Sequence, residues 1–239
     1  MLDILIIAFG VVVLIAALNW VYAFWALTRI HKLVPVLMKE EIQPLTEWPK
    51  LTVIVPACDE EELIETAAHS LLLVDYPNIE IFLIDDRSTD STGEIIDRLA
   101  SHDERVIPMH ITELEQGWLG KPHAMQQALE QATGEWILFT DADVEFSVDS
   151  LRRAIAWSVK HELDHLALVP RFRPVHWAVD SIITGFLRAI GLGMKLWRVP
   201  NPRSKAFMGV GAFNLVRREA FEKTPGLEWL KMEVTEDLG

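Results

Sequence analysis

From Ile4 to Leu27 the chain runs 24 residues without a charge, with Asn19 the one strongly polar side chain. About 20 apolar residues cross the ~30 Å hydrocarbon core of a bilayer, so this run is long enough to span one with some tilt. A cleaved signal peptide needs a basic leader and a small-residue cleavage site. Here Met1 and Asp3 lead and bulky Trp25 and Leu27 close the run. The pattern predicts a retained anchor over residues 1–32. Arg29, Lys32 and Lys39 follow it, which places the rest of the chain on the cytoplasmic side of the cell membrane. Trp20, Tyr22 and Trp25 suit an interfacial aromatic belt.

Residues 33–50 read as a linker, and from Leu51 short apolar runs alternate with amphipathic stretches. Strands are predicted at Leu51–Val55, Ile79–Ile84, Arg105–His110, Trp136–Thr140 and His165–Val169. Helices are predicted at Glu60–Leu73, Ser91–Ser101, Lys121–Ala132 and Val148–Lys160, the third-fourth spacing of Leu63, Ile64, Ala67 and Leu71 being typical. Strands and helices in this alternation predict an α/β domain over residues 51–239 built on a mostly parallel sheet.

One later stretch differs. Apolar residues fall at 179, 182, 183, 186, 187, 190, 194 and 197, with Asp180, Thr184, Arg188, Lys195 and Arg198 on the opposite face. A helix of this kind either lies in a membrane interface or packs on the sheet, and the upstream anchor favours the membrane.

The net charge of −13 argues against a nucleic-acid partner. Cys58 is the only cysteine, so an intramolecular disulfide and a multi-cysteine zinc site are excluded. In open α/β sheets ligands bind beyond the carboxyl ends of the strands. Three predicted strands end in acidic clusters: "VIVPACDEEE" (Val53–Glu62), "LIDDRSTDST" (Leu83–Thr92) and "FTDADVEF" (Phe139–Phe146). Carboxylates gathered at one sheet edge repel unless a cation or donors compensate them. If strand geometry continues through Asp141 and Asp143, both point to one side and are able to hold Mg²⁺ or Mn²⁺.

The ordered set Pro56-x-x-Asp59-Glu60-Glu61, Asp85-Asp86-x-Ser88-x-Asp90, Gly120-Lys121, Asp141-x-Asp143 and Thr235-Glu236-Asp237 resembles the family 2 glycosyltransferases. The match extends over about Leu51 to Gly239. The resemblance implies a GT-A fold, a nucleotide-sugar donor with a UDP-sugar expected, a divalent cation (Mn²⁺ or Mg²⁺) and inversion at the anomeric carbon. It assigns Pro56, Ala57, Asp59 and Glu61 to the nucleotide pocket, and Asp86, with Asp85 beside it, to the base and ribose. It brings Lys121 to the nucleotide or diphosphate and gives the metal to Asp141 and Asp143. Asp237 is then the general base for the acceptor hydroxyl, with Glu236 in support.

The chain looks similar to the lipid-modifying branch, with ceramide glucosyltransferase-like and hopanoid-associated relatives, so the expected acceptor is a lipid or a membrane-associated glycan. Asp59 departs from the family pattern, standing where many relatives carry asparagine. Processive relatives continue into a Q/R-x-x-R-W motif and further membrane helices; their absence here is expected of an incomplete domain. Gly209 and Gly211, in "FMGVGAFNLVRREAF" (Phe207–Phe221), permit close backbone approach, as an acceptor wall requires, or simply a strand turn. Arg217 and Arg218 read as the solvated start of a helix.

Rival readings are a truncated processive polysaccharide synthase, a haloacid-dehalogenase-type phosphatase using "DADVE", a nucleotidyltransferase, and a non-catalytic membrane-anchored binding protein. The phosphatase motif belongs on a first strand, not a fourth, and nucleotidyltransferases open with a glycine-rich loop absent here. A dinucleotide-binding dehydrogenase is excluded because no strand leads into G-x-G-x-x-G.

Overall fold

The structure is a computed structural model and describes residues 1–201 and 203–232. In chain order its helices are α1 (Leu2–Leu33), α2 (Ile64–Leu72), α3 (Thr92–His102), α4 (Gly120–Gln131), α5 (Ser150–Lys160), α6 (Trp177–Gly193) and α7 (Arg218–Phe221). The strands are β1 (Leu51–Ala57), β2 (Ile79–Asp86), β3 (Val106–Ile111), β4 (Trp136–Phe139), β5 (His165–Ala167) and β6 (Asn214–Arg217). They fall into two compact units, Met1–Val36 with Phe172–Met208, and Leu37–Arg171 with the residues from Gly209 onward.

The larger unit is a six-stranded sheet of order β3-β2-β1-β4-β6-β5. β1, β2, β3 and β4 run parallel, and β6 enters antiparallel to both β4 and β5. The mostly parallel α/β sheet expected from the alternation is therefore present. Parallel strands are covered on both faces and read as continuous apolar runs; all seven residues of β1 are buried. The two-residue period sorts them. Val53, Val55, Ile81, Leu83 and Leu138 pack toward α2, α3 and α5, while Ile54, Phe82, Ile84 and Ile137 pack toward α4. Full burial of each such side chain contributes roughly 1.5–3 kcal/mol.

Polar groups brace the amino-terminal edge of this sheet. The Glu80 carboxylate is buried and accepts from Thr52 Oγ1 (2.6 Å), Thr133 N (2.6 Å) and Thr133 Oγ1 (2.8 Å), and pairs with Lys50 Nζ at 2.6 Å. Burial pushes its pKa up, yet the donors from Lys50, Thr52 and Thr133 together hold it down at about 2. The predicted linker is partly built into the same unit: Trp48 meets Tyr76 edge-on at 5.5 Å, and Arg153 Nη1 donates to the Glu40 carbonyl.

β6 was not among the predicted strands. It is four residues long and half polar, but Leu215 is fully buried and completes the pairing between β4 and β5. A helix, α7, does begin at Arg218 with Arg217 before it, but these two side chains are not its solvated face. The Arg217 guanidinium lies 4.9 Å from the Trp136 ring centre, and Arg218 Nε donates to the Gly134 carbonyl at 2.7 Å.

The smaller unit contains α1, α6 and a 3₁₀ turn at Leu196–Arg198. α1 is the one described helix long and apolar enough to cross a membrane, and it absorbs the whole Ile4–Leu27 run. Tyr22 and Trp25 stack on one another, and Trp197 meets both edge-on at 6.1 and 5.5 Å.

Candidate functional site

The carboxyl ends of β1, β2 and β4 lie side by side in the sheet, and their following loops carry most of the predicted site residues. Pro56 and Ala57 are the last residues of β1, both buried and in register with Ile84 and Asp85. The β1 and β2 loops are cross-braced. Asp59 Oδ1 accepts from Thr89 N at 2.7 Å and Thr89 Oγ1 at 3.2 Å, while Asp59 N donates to Ser88 Oγ. Glu61 Oε2 accepts from Ser91 N, and Glu61 N donates to Asp90 Oδ2. Asp59 and Glu61 thus shape these loops through their carboxylates. Asp59 does so at φ 55°, in the left-handed region where Asp is tolerated better than most residues.

Asp86 is buried and takes a two-pronged contact from Arg87, whose Nε and Nη2 lie 2.8 and 3.1 Å from the two carboxylate oxygens. Arg87 has φ 60°, a conformation costing a non-glycine residue of this type on the order of 1–2 kcal/mol. Gly120, the first residue of α4, accommodates this pair. A Cβ there would stand 2.4 Å from Asp86 Oδ2 and 2.6 Å from Arg87 Nη2. Asp85 accepts from Ser88 N at 3.1 Å and meets His110 Nδ1 at 3.2 Å, and His110 Nε2 meets Asp97 at 2.9 Å. Hydrogen bonds to Asp97 and then Asp85 raise the His110 pKa.

β4 stops at Phe139, so Asp141 and Asp143 occupy a turn rather than an extended continuation of the strand. The alternation argument for their facing one way does not hold. Asp141 is half-buried with Oδ1 2.8 Å from Lys121 Nζ, and Asp143 is exposed. Lys121 reaches Asp141 from the first turn of α4, where a helix amino terminus adds positive potential. Glu60 reports the local field. Burial raises its pKa first, and Asp143, Asp141 and Asp90 raise it further. This is a concentration of negative charge that a cation relieves.

Among the described residues, no group of three or more His, Cys, Asp or Glu forms a metal cage. Mg²⁺ typically uses one or two carboxylates with waters and substrate phosphates, and a two-carboxylate turn fits that mode. The turn before α4 is held from its other side by Lys231, whose carbonyl accepts from Leu119 N at 2.7 Å and whose Nζ lies 4.7 Å from the Trp118 ring centre. Glu236 and Asp237 follow shortly after and lie outside the described residues.

The structure therefore brings together the residues of the β1, β2 and β4 ends and Lys121. Arg87 and His110 were missed. Arg87 adjoins the Asp85-Asp86 pair in sequence and so carried a signal. His110 carried none, because its partners stand 13 and 25 residues away.

Comparison with known proteins bears on both fold and family. The mannosyltransferase PcManGT from Pyrobaculum calidifontis, solved in complex with GDP-Man and Mn²⁺, superposes with a TM-score of 0.62 at 24% identity, covering 90% of this chain and 57% of that one. The fold is accordingly of the GT-A type. The poly(ribitol-phosphate) β-N-acetylglucosaminyltransferase TarS of Staphylococcus aureus is 33% identical over 123 residues, covering 50% of this chain and 20% of that protein. The GalNAc(5)-diNAcBac-PP-undecaprenol β-1,3-glucosyltransferase of Campylobacter jejuni is 35% identical over 97 residues, covering 41% and 30% respectively. The chain thus spans less than half the length of these two relatives. The profile of Glycosyl transferase family 2 matches residues 52–224, most of the chain. By that match the chain belongs to Glycosyl transferase family 2.

Proposed function

We propose that the chain transfers a sugar from a nucleoside diphosphate donor, a UDP-sugar first among candidates, to a hydroxyl of a lipid or membrane-associated acceptor, with inversion at the anomeric carbon. The observation that carries this reading is the Lys121–Asp141 pair beside exposed Asp143, at a strand end flanked by the Asp85-Asp86 loop.

In this reading Pro56 and Ala57 floor the nucleotide pocket, Asp59 and Glu61 hold its wall, and Asp86 with Asp85 meets the base and ribose. Lys121 leaves Asp141 to meet the diphosphate, while Asp141 and Asp143 hold Mn²⁺ or Mg²⁺. The bound cation supplies electrostatic stabilisation of the charge that develops on the departing diphosphate. Asp237 accepts the proton of the acceptor hydroxyl as it attacks from the opposite face, and Glu236 positions it. α1 anchors the protein, with Arg29 and Lys32 on the cytoplasmic side. The Campylobacter relative, named for an undecaprenol-linked substrate, supports a lipid-linked acceptor.

The test is transfer of labelled sugar from a panel of nucleotide donors into a lipid extract by the full chain in detergent. Asp237→Asn is expected to abolish transfer while donor affinity stays near wild type. Undiminished transfer by Asp237→Asn contradicts the assignment of the base.

A further inference from the structure

Helix α6 leaves part of its apolar surface uncovered. On a helical wheel Val179, Ile182 and Phe186 share one face. The side that meets α1 carries Arg188, 4.4 Å from the Trp20 ring centre, and Gly191, where a Cβ would stand 3.5 Å from Ile30 Cδ1. Ile183, Leu187 and Ile190 are half-buried. Ile182 and Phe186 remain 73% and 64% exposed, and Trp177, at the start of the helix, 76%.

Its polar side chains are turned onto the backbone. Ser181 and Thr184 hydroxyls donate to carbonyls four residues back, and Asp180 accepts from Val175 N. Such bonds satisfy these groups without water.

The contacts also fix the level of α6 on α1. Trp20 and Ile30 of α1 meet Arg188 and Gly191 of α6. These contacts bracket the end of the Ile4–Leu27 run, near Tyr22, Trp25 and Arg29, with Arg29 5.6 Å from the Trp25 ring centre. Charge is distributed to match. Residues 171–205 carry seven Lys or Arg and one acid, Asp180, in a chain whose net charge is −13.

We propose that α6 lies in the plane of an anionic membrane, with Val179, Ile182 and Phe186 in the acyl boundary and exposed Lys195, Arg198, Arg203 and Lys205 against phospholipid headgroups. The proposal rests on α1 being the membrane anchor. Cations are attracted to an anionic surface, so binding strengthens with anionic lipid.

The test uses the full chain with Cys58→Ser, which removes the natural cysteine. Single cysteines are placed at Val13, Thr184, Ile182 and Phe186 and labelled with an environment-sensitive fluorophore. The proteins are reconstituted into phosphatidylcholine vesicles with or without phosphatidylglycerol, carrying bromines at shallow or deep acyl positions. Probes at 182 and 186 are expected to lose emission to shallow bromines and to resist aqueous iodide, more so with phosphatidylglycerol. The probe at 184 should escape the bromines, and the probe at 13 should be quenched by deep ones. Iodide quenching at 182 and 186, with 13 still protected in lipid, overturns the proposal while leaving the anchor intact. Iodide quenching at 13 as well overturns the anchor itself. Equal lipid quenching with and without phosphatidylglycerol, or no change on Arg198→Glu with Arg203→Glu and Lys205→Glu, overturns the anionic-lipid component.

Discussion

Gly120 offers a direct probe of the Asp86–Arg87 pair. A methyl group at this position lands 2.4 Å from Asp86 Oδ2 and 2.6 Å from Arg87 Nη2, against the 3.4 Å or more of an ordinary contact. Something must move by about 1 Å. The nearer of the two atoms is Asp86 Oδ2, so the carboxylate is pushed from its place and the two-pronged contact with Arg87 breaks. The Asp86 carboxylate is buried, so loss of its partner costs about 1–3 kcal/mol. Gly120→Ala should therefore unfold in urea at a free energy lower by roughly 1–3 kcal/mol while remaining folded in buffer. Nucleotide binding should suffer as well, because Asp86 no longer sits where a base or ribose hydroxyl meets it. A hydrogen bond to a charged group contributes ~1.5–3 kcal/mol, so calorimetric titration with UDP and GDP should show affinity roughly ten- to hundredfold weaker. Unchanged affinity in a folded variant refutes the assignment of this pair to the nucleotide pocket.

Two other substitutions probe electrostatics through pH. Glu80 is held at about 2 by its donors, below its ordinary 4.5, and that depression corresponds to about 3 kcal/mol. Because the folded value is the lower one, the contribution is present above about pH 4.5 and disappears as pH falls through about 2. Glu80→Gln should lower the unfolding free energy by roughly 2–3 kcal/mol at neutral pH, and its deficit should vanish toward the acid limit; a constant deficit at all pH values contradicts the network as described. His110 has the opposite sign. Its pKa is raised by Asp97 and Asp85, so its contribution is full below ~6.5 and is lost as pH climbs through the folded value. Wild type should exceed His110→Gln in urea midpoint by more at about pH 6 than at about pH 9, and a pH-independent gap argues against the ionic contact.

Legibility followed length and locality. β1, β2 and β4 were readable because buried parallel strands leave unbroken apolar runs, with α2 to α5 betrayed by their period between them. β6 was not, since Asn214 and Arg217 interrupt a four-residue strand whose antiparallel partners are remote in sequence. The acidic strand ends were legible as a group, and the structure sets them along one edge. Their detailed geometry was not legible, because β4 ends before Asp141 and the lysine that meets Asp141 lies 20 residues earlier. The side of α6 that meets α1 was not legible either, for a wheel states which residues share a face and never which face is covered.

The central claim is that the edge bearing Asp141, Asp143 and Lys121 binds a nucleotide sugar together with a divalent cation. The most direct measurement is calorimetric titration of the full chain in detergent with nucleoside diphosphates and their sugars, with and without Mn²⁺, for wild type and Asp143→Ala. Binding that needs Mn²⁺ and is lost in Asp143→Ala, with urea stability unchanged, is the predicted result. Folded wild-type protein that binds nothing in the panel, or binds equally well without metal and without Asp143, contradicts it.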